Sequence, residues 1–289
     1  MNQQPILGCA LNLSEGRRAG VVEAVARAAS STAAVLDISS DPDHNRTVLT
    51  LCATPHDLIE GVVSASRAAL EHIDLRIHDG VHPRLGAVDV VPFYPLRSAS
   101  MTDAVAAAKF CAERLWIVLQ LPCFLYEEAA TTSESTALPW IRRNAFAGTV
   151  PDVGGPGPHP TGGAAVVGAR GLLVAYNVEL DSTDLPVARR IASAIRGAFP
   201  GRVRSLGFAL PARDATQVSM NIIRPELICL EEVFTAVVHL AKEAGVEVRD
   251  SEIVGLVPRA CLCSADEAML KLRDKPKVLE DVLDRLFAD

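Results

Sequence analysis

The sequence predicts an α+β protein made of two similar halves, each with the order β-α-β-β-α-β. Short apolar runs of strand length alternate with longer segments in which apolar residues recur at helical spacing. This order occurs once before and once after a stretch rich in proline and glycine at residues 151–163. With 289 residues, 49% of them hydrophobic, the chain is large enough for two domains or one large domain, and the repeated pattern favours two. We therefore expect one subdomain at residues 1–168 and a second at residues 169–289.

The first half contains one such unit, followed by a further helix and a further strand. Ser14 or Gly16 is expected to cap the first helix. Thr54 is the expected N-cap of the second helix, where Pro55 suits the first helical position. The predicted strands are residues 6–13, 34–38, 47–53, 87–94 and 121–126, and the predicted helices are residues 17–30, 55–73 and 102–115.

The second half repeats the pattern and adds two closing helices. A split βαβ arrangement of this kind forms an antiparallel sheet with two helices on one face. Two such ferredoxin-like βαββαβ subdomains, packed together, would leave a ligand cleft or tunnel between them. The predicted strands are residues 171–178, 203–210, 217–223 and 252–257, and the predicted helices are residues 184–198, 226–243, 259–272 and 278–287.

Composition argues against several classes of partner. The net charge of −7 is spread along the chain, which does not suit nucleic acid or an anionic membrane surface. No apolar stretch approaches the roughly 20 residues of a membrane helix, and no basic signal-peptide region is present, so we expect a cytoplasmic protein. The seven cysteines are scattered, and the gap between Cys261 and Cys263 matches no common zinc spacing. We therefore expect free thiols and no metal.

Titratable side chains gather just ahead of the strand predicted at residues 87–94. His82 precedes Pro83, which favours an extended backbone and so holds the imidazole in a fixed place. Arg84 follows two residues later, and Asp89 lies inside the strand on an otherwise apolar face. A buried carboxylate needs a partner, for which Arg84 and a backbone N–H are the candidates.

A second polar group, formed by His44, Asn45 and Arg46, lies just ahead of the strand predicted at residues 47–53. In a split βαβ sheet the two strand entrances could lie near one another. Their basic side chains would then suit a polyanionic ligand, although any single histidine here, taken alone, is better explained as a surface residue. No pattern of histidine and carboxylate residues has the spacing of metal ligands.

The stretch at residues 151–163 has two interpretations. It is either a flexible linker or a ligand loop, because glycine lets backbone N–H groups approach an anion closely. Neither nucleotide-binding fingerprint is present in the sequence. Composition alone favours the linker.

Several segments, in the same order over almost the whole chain, resemble the glutamate formiminotransferase family. The block that begins at His82 is the most specific of them. The segments in the first half are "NLSEGR" at 12–17, "DPDHNRT" at 41–47, "HPRLGAVDVVPF" at 82–93 and "PDVGGPGPHPTGGAAVVGAR" at 151–170. Those in the second half are "LLVAYNVEL" at 172–180, "QVSMN" at 217–221 and "SEIVGLVP" at 251–258.

The resemblance implies two related halves with a folate tunnel between them, in a homodimer without the cyclodeaminase part of the bifunctional relatives. It implies transfer of the formimino group of N-formiminoglutamate to N5 of tetrahydrofolate, a co-substrate, in histidine breakdown, with no metal. By position, His82 matches the catalytic histidine of the family, and the stretch at 154–163 matches its folate loop. That loop consists of Gly154, Gly155, Pro156, Gly157, Pro158, His159, Pro160, Thr161, Gly162 and Gly163.

Chemically, a histidine can take a proton from N5 and deliver one to the departing glutamate nitrogen, because its pKa lies near neutrality. Arg46 and Arg84 would hold substrate carboxylates, and the loop glycines would turn their N–H groups to the folate. These contacts are inferences from the residue types.

The sequence also departs from the family pattern, because Leu13, Val153 and Gly162 replace aromatic residues of relatives. If these flanked the pterin, each loss removes about 0.5–1.5 kcal/mol of stacking; alternatively they packed the core and are replaced cheaply. Two other functions therefore stay open. One is formyl transfer between 5-formyltetrahydrofolate and glutamate through the same histidine. The other is a non-catalytic protein that binds folate or a small anion with a decayed pterin site.

Overall fold

The computed structural model describes residues 4–263 and 267–288. Contacts divide the chain into two compact units, Met1–Gly171 and Leu172–Asp289. The strands are β1 Leu7–Leu13, β2 Ala34–Asp41, β3 Arg46–Ala53, β4 Val88–Pro95, β5 Cys123–Glu127, β6 Ala165–Ala169, β7 Val174–Leu180, β8 Val203–Leu210, β9 Ala215–Ile222, β10 Val248–Val254, β11 Leu256–Val257 and β12 Lys277–Val278. The helices are α1 Ala19–Ala29, α2 Pro55–His72, α3 Met101–Leu119, α4 Leu138–Asn144, α5 Leu185–Ala198, α6 Leu230–Glu243, α7 Arg259–Leu262 and α8 Leu279–Leu286, with 3₁₀ turns at Glu134–Thr136, Pro211–Arg213 and Pro225–Leu227.

The described part of the first unit forms a six-stranded sheet in the order β2-β3-β1-β4-β6-β5. The strands β1 to β4 pair antiparallel, whereas β6 pairs parallel with both β4 and β5. One core joins the sheet to α1, α2 and α3, with fully buried side chains such as Leu11, Leu58 and Phe93. The predicted mixture of strands and helices is confirmed here, and it places the entrances of β3 and β4 on either side of β1.

One strand of this sheet, β6, was not predicted. Val166 and Val167 are both fully buried, and they belong to cores on opposite faces of the sheet. A parallel strand buried on both faces lacks the apolar and polar alternation that identifies a half-exposed strand. The run is also only five residues long, so the pattern gives no signal.

The second unit forms a four-stranded antiparallel sheet in the order β10-β7-β9-β8 within the described residues. Its core contains Tyr176, Ile191 and Val233, which come from β7, α5 and α6. The same strand β7 also carries a charged residue, Glu179. Its carboxylate is buried and pairs with arginines such as Arg249. On β7, Tyr176 thus lies on the helix-covered face of the sheet and Glu179 on the opposite face.

The helix predicted at residues 259–272 is wrong as a continuous helix. It ends at Leu262, and residues 264–266 lie outside the described residues. Beyond them the chain runs beside β10, where the N–H of Ser251 donates to the carbonyl of Lys271 at 2.8 Å. The N–H of Arg273 returns a bond to Ser251 at 3.0 Å. Pairing with the edge strand thus outcompetes the helical spacing of the apolar residues.

The expectation of free thiols is wrong for two cysteines. Cys229 and Cys263 form a disulfide, with their Cα atoms 5.8 Å apart. Spacing in the sequence could not indicate it, because the partners are 34 residues apart. The described cysteines with free thiols are Cys9, Cys52, Cys111, Cys123 and Cys261, all buried.

The helix starts agree only in part with prediction. Thr54 caps α2 as predicted, since its side chain accepts from the N–H of Asp57. Neither Ser14 nor Gly16 caps α1, which begins after Arg18. The buried carboxylate of Glu15 accepts from the N–H groups at positions 17 and 18, both at 2.9 Å, so it holds the turn that leads into α1 without capping the helix. Within the described ranges, no helix combines the length and the apolar character needed to cross a membrane.

Candidate active site

His82 lies in the loop between α2 and β4, at the wall of a cavity of about 500 Å³ in the first unit. The cavity is polar, and much of its lining comes from the loop itself. The lining residues are Leu75, His78, Asp79, Gly80, His82 and Arg84. The loop that carries the predicted catalytic histidine therefore lines an open pocket large enough for part of a small-molecule ligand.

Arg46, the first residue of β3, contacts the imidazole directly. Its Nη1 atom lies 3.1 Å from Nε2 of His82, and its Nη2 atom donates to Oδ1 of Asn12. A guanidinium has only donors, so Nε2 of His82 must accept this hydrogen bond. The imidazole is therefore neutral, with its proton on Nδ1. Burial lowers the pKa of Arg46 to about 10, a value at which it still carries its charge at neutral pH.

The surroundings of His82 also favour its neutral form. Burial, followed by the charges of Arg46 and Arg142, holds the pKa of His82 well below its usual range. The ring of His44 lies 5.8 Å from that of His82, between centroids, and acts in the same direction. A neutral imidazole can accept a proton, the first requirement of a general base, once Arg46 moves off the lone pair of Nε2.

Asp89 has one partner of a predicted kind and a second that was not predicted. Its Oδ1 atom accepts from the N–H of Leu85 at 2.7 Å, so the expected backbone partner is confirmed. Its Oδ2 atom accepts from Nη2 of Arg142 at 2.5 Å, in place of the predicted Arg84. Arg142 was missed because it lies 53 residues away on the short helix α4, and no motif marks it.

Arg84 stabilises the loop instead. Its Nη2 atom donates to the carbonyls of Gly80 at 2.8 Å and His82 at 2.7 Å, and Nη1 contacts Nδ1 of His78. Burial and the neighbouring arginines lower the pKa of Arg84, although Asp89 opposes this. The guanidinium thus holds the loop in its turn and adds positive charge beside the cavity.

Asn45 joins three segments of the first unit. Its Oδ1 atom accepts from the N–H of Gly16 at 2.9 Å, and its Nδ2 atom donates to the carbonyl of Asp79 at 2.8 Å. Its φ of 46° is in the left-handed region, which asparagine tolerates better than most residues. The structure therefore brings the two predicted polar groups together, with Arg46 beside His82 and Asn45 as their support.

The loop at residues 154–163 docks against the His82 loop. The carbonyl of Thr161 accepts from Leu75 at 2.8 Å, and the carbonyl of Gly162 accepts from Ala87 at 2.9 Å. A bridge between Gly86 and Gly163 continues this pairing. The loop therefore shares a border with the segment that positions the imidazole.

The expectation that the loop glycines present their N–H groups to a ligand is wrong for two of them. The N–H of Gly162 donates to Nδ1 of His159 at 2.9 Å, and the N–H of Gly163 donates to the backbone carbonyl of His159 at 3.1 Å. These donors close the loop on itself. His159 is the acceptor in both bonds, and burial lowers the pKa of its imidazole. Ligand contacts by the rest of the loop, residues 154–160, stay a prediction.

Comparison with known proteins identifies the family of the chain. The family model "Formiminotransferase domain, N-terminal subdomain" matches residues 6–170, and the model "Formiminotransferase domain" matches residues 175–285. The chain belongs to the formiminotransferase family. It is a transferase of this family, and the resemblance stated from its motifs is confirmed.

Formiminotransferases from distant organisms align over most of the chain. "Glutamate formimidoyltransferase" of Streptococcus pyogenes serotype M1 is 37% identical, over 93% of this chain and 94% of its own. A protein of the same name from Thermoplasma acidophilum is 34% identical, over 97% of this chain and 98% of its own. "Formimidoyltransferase-cyclodeaminase" of Sus scrofa is 36% identical over 98% of this chain, which corresponds to 57% of that longer protein.

Two of the three residues expected to replace aromatic residues of relatives lie at the core of the first unit. Leu13 is 1% exposed and packs among the core side chains of the first unit, and Val153 packs against the edge of the same core. At Gly162, an added Cβ would lie 2.2 Å from Cδ2 of Leu70. The side chain of Leu13 therefore fills space in the core of the first unit. In the described residues, no three His, Cys, Asp or Glu side chains form a group that could hold a metal ion.

Proposed function

We propose that this formiminotransferase moves the formimino group of N-formiminoglutamate to N5 of tetrahydrofolate, giving glutamate and 5-formiminotetrahydrofolate. The observation that carries the proposal is the neutral His82 at the wall of a cavity, held by Arg46. The names of the aligned relatives support the same reaction. The strand orders of both sheets support assigning the two units to the ferredoxin-like class.

The proposed chemistry needs one proton to leave and one to arrive. N5 of the folate attacks the formimino carbon, and the C–N bond to glutamate then breaks. His82 accepts the proton that N5 loses and delivers it to the departing glutamate nitrogen, so the side chain is restored after each turnover. The lowered pKa of His82 suits the step in which it takes the proton from N5, because the imidazole is then neutral before the reaction begins.

Charge around the cavity supports anionic substrates. Both substrates carry carboxylates, and three arginines place positive charge around His82. Arg46 and Arg142 lower the pKa of His82, and Arg142 also lowers the pKa of Arg46 and of Arg84. Asp89 compensates for one of them. The N–H groups of Arg84 are engaged with loop carbonyls, so we assign it a contribution through charge and loop shape. Arg46 remains the candidate for direct contact with a carboxylate.

The core position of Leu13 weakens the alternative of a decayed pterin site, because the position of the replaced aromatic residue lies inside the first unit. A ligand tunnel between the two halves, a homodimer and a cytoplasmic location stay predictions.

The proposed function is tested by mixing the protein with N-formiminoglutamate and tetrahydrofolate and measuring free glutamate. We expect glutamate release that requires the folate and that is lost in His82→Asn. A parallel reaction with 5-formyltetrahydrofolate and glutamate distinguishes formyl transfer. Folate binding without glutamate release in the wild-type protein would favour a non-catalytic binding protein.

A further inference from the structure

The pair formed by Asp89 and Arg142 lies beneath the loop that carries His82. The Asp89 side chain is 4% exposed and that of Arg142 is 17% exposed. A carboxylate at this depth requires a counter-charge, and α4 supplies it from a distant part of the sequence. The next residue along the same helix, Arg143, is exposed. Only one of the two adjacent arginines is thus placed to act on the site.

Asp89 connects Arg142 to the loop that carries His82. Its second oxygen accepts from the N–H of Leu85, three residues after the histidine. The carbonyl of Leu85 in turn accepts from the N–H of Ala164 at 3.2 Å, where the glycine-rich loop enters β6. One chain of hydrogen bonds therefore joins α4, β4, the histidine loop and the glycine-rich loop.

Arg142 also belongs to the charged groups that surround the imidazole. Those groups are Arg46 from β3, Arg142 from α4 and His44 from the turn before β3, whereas Arg84 from the loop itself donates to the backbone carbonyl of His82. Arg46 contacts the ring, whereas Arg142 acts through Asp89 and through its charge.

We propose that Arg142 is a positioning residue for the reaction at His82: through Asp89 it fixes the turn at Leu85, and with it the imidazole against the cavity. This inference rests on the proposed role of His82. A salt bridge with a purely structural role would change stability alone, whereas a positioning residue changes the rate and the protonation of His82.

The test compares R142Q and R142K with the control R143Q, which removes a charge from the exposed neighbour. Each variant is assayed for glutamate release against pH, and the His82 ring is titrated by NMR without substrate, its signal assigned from His82→Asn. In R142Q we expect kcat to fall by about 10- to 100-fold with little change in KM, as for a displaced catalytic group. The His82 titration should move to higher pH, because a neighbouring positive charge has gone.

R142K keeps the charge without the planar fork, so its His82 titration should match wild type and its rate should lie between those of R142Q and wild type. R143Q should match wild type in both measurements. An R142Q protein with wild-type kcat and an unmoved titration would overturn the proposal.

A second variant covers the case in which R142Q does not fold. D89N/R142Q removes both buried charges together and leaves no unpaired carboxylate, so it should fold and still lose rate. A folded double variant with wild-type kcat would overturn the proposal. If the wild-type protein releases no glutamate, the proposed function fails, and the titration of R142Q still decides whether Arg142 acts on His82.

Discussion

Nη1 of Arg46 and Nε2 of His82 lie 3.1 Å apart, so a guanidinium donates to the ring nitrogen that would otherwise accept a proton. Two groups that are each able to carry positive charge are thereby placed in contact. The contact is stable only while the imidazole is neutral. Arg46 therefore reinforces the neutral resting state of His82 that burial already favours, and it occupies the lone pair that the base would use. A substrate carboxylate that draws this guanidinium towards itself would release that lone pair.

Replacement of His82 by asparagine tests proton transfer. Asparagine retains hydrogen bonding but does not titrate near neutrality. We expect kcat to fall by about 10²–10⁴-fold with little change in KM, the range for loss of a general acid or base. The rate is measured by glutamate release from protein whose folding is verified by circular dichroism. A well-folded variant with near-normal kcat would exclude His82 as the proton carrier.

The pH dependence of the rate follows from the lowered pKa of His82. Because the neutral form is active and its pKa lies well below the usual range, the rate should be constant above about pH 6.5, the usual value, and fall only in more acidic solution. Replacing Arg46 with methionine removes a charge that opposes protonation, so the acid limb should move to higher pH. Arg46→Lys keeps the charge and should leave the limb nearly in place. An unmoved limb in Arg46→Met would contradict the electrostatic role of Arg46.

The parts of the fold with strong local signals could be predicted from the sequence. The helix predicted at residues 55–73 is observed as Pro55–His72, because its apolar spacing, its proline and its threonine cap all agree. The strand β6 and the end of the helix after Arg259 could not be predicted. The strand β6 is buried on both faces and so lacks an alternating pattern. The helix after Arg259 ends early because the chain beyond it pairs with the edge of β10. Both depend on neighbours that are distant in sequence.

The same division holds at the candidate site. Motifs bring out His82, Arg46 and the glycine-rich loop, because these residue types cluster beside strand entrances or carry the family resemblance. Arg142 could not be identified from the sequence, since its partner Asp89 lies 53 residues away and the neighbouring sequence contains no motif. The orientation of the N–H group of Gly162 is equally hidden, because the acceptor is a histidine ring nitrogen whose position depends on how the loop closes.

Gly163 should be needed for the full stability of the fold. Its φ is +68°, and an added Cβ would lie 2.2 Å from the carbonyl oxygen of Leu85. Gly163→Ala should therefore lower the free energy of unfolding by at least about 1–2 kcal/mol, the cost of the left-handed conformation alone. Gly157→Ala is the matched control, because its Cβ meets no atom within 4 Å and its φ is not positive.

These two variants separate folding from ligand contact in one loop. Thermal unfolding should show a lower Tm for Gly163→Ala and a nearly unchanged Tm for Gly157→Ala. Folate binding by calorimetry on Gly157→Ala then reports the loop contact without a folding defect. Equal melting temperatures for wild type and Gly163→Ala would contradict the close approach of the loop to Leu85.

The disulfide between Cys229 and Cys263 should stabilise the second unit in oxidising solution. It joins the start of α6 to the residue after α7, across a sequence separation of 34 residues. Closing a loop of this length lowers the entropy of the unfolded chain, which corresponds to about 3–4 kcal/mol in the chain-entropy model. Reduction with dithiothreitol should therefore lower the Tm of the wild-type protein.

The double variant Cys229→Ser/Cys263→Ser serves as the control, because its Tm should already be low and should not respond to reductant. Iodoacetamide adds a chemical readout by mass spectrometry. It should label Cys229 and Cys263 only after reduction, and it should spare Cys261 in the folded protein, since burial raises the pKa of that thiol to about 12 and the thiolate is the reactive form. Labelling of Cys229 in the oxidised protein, together with a Tm that ignores reductant, would show that the bond does not form in solution. The second unit would then depend on its core and on the pairing of Ser251 with Lys271 to hold its C-terminal segment in place.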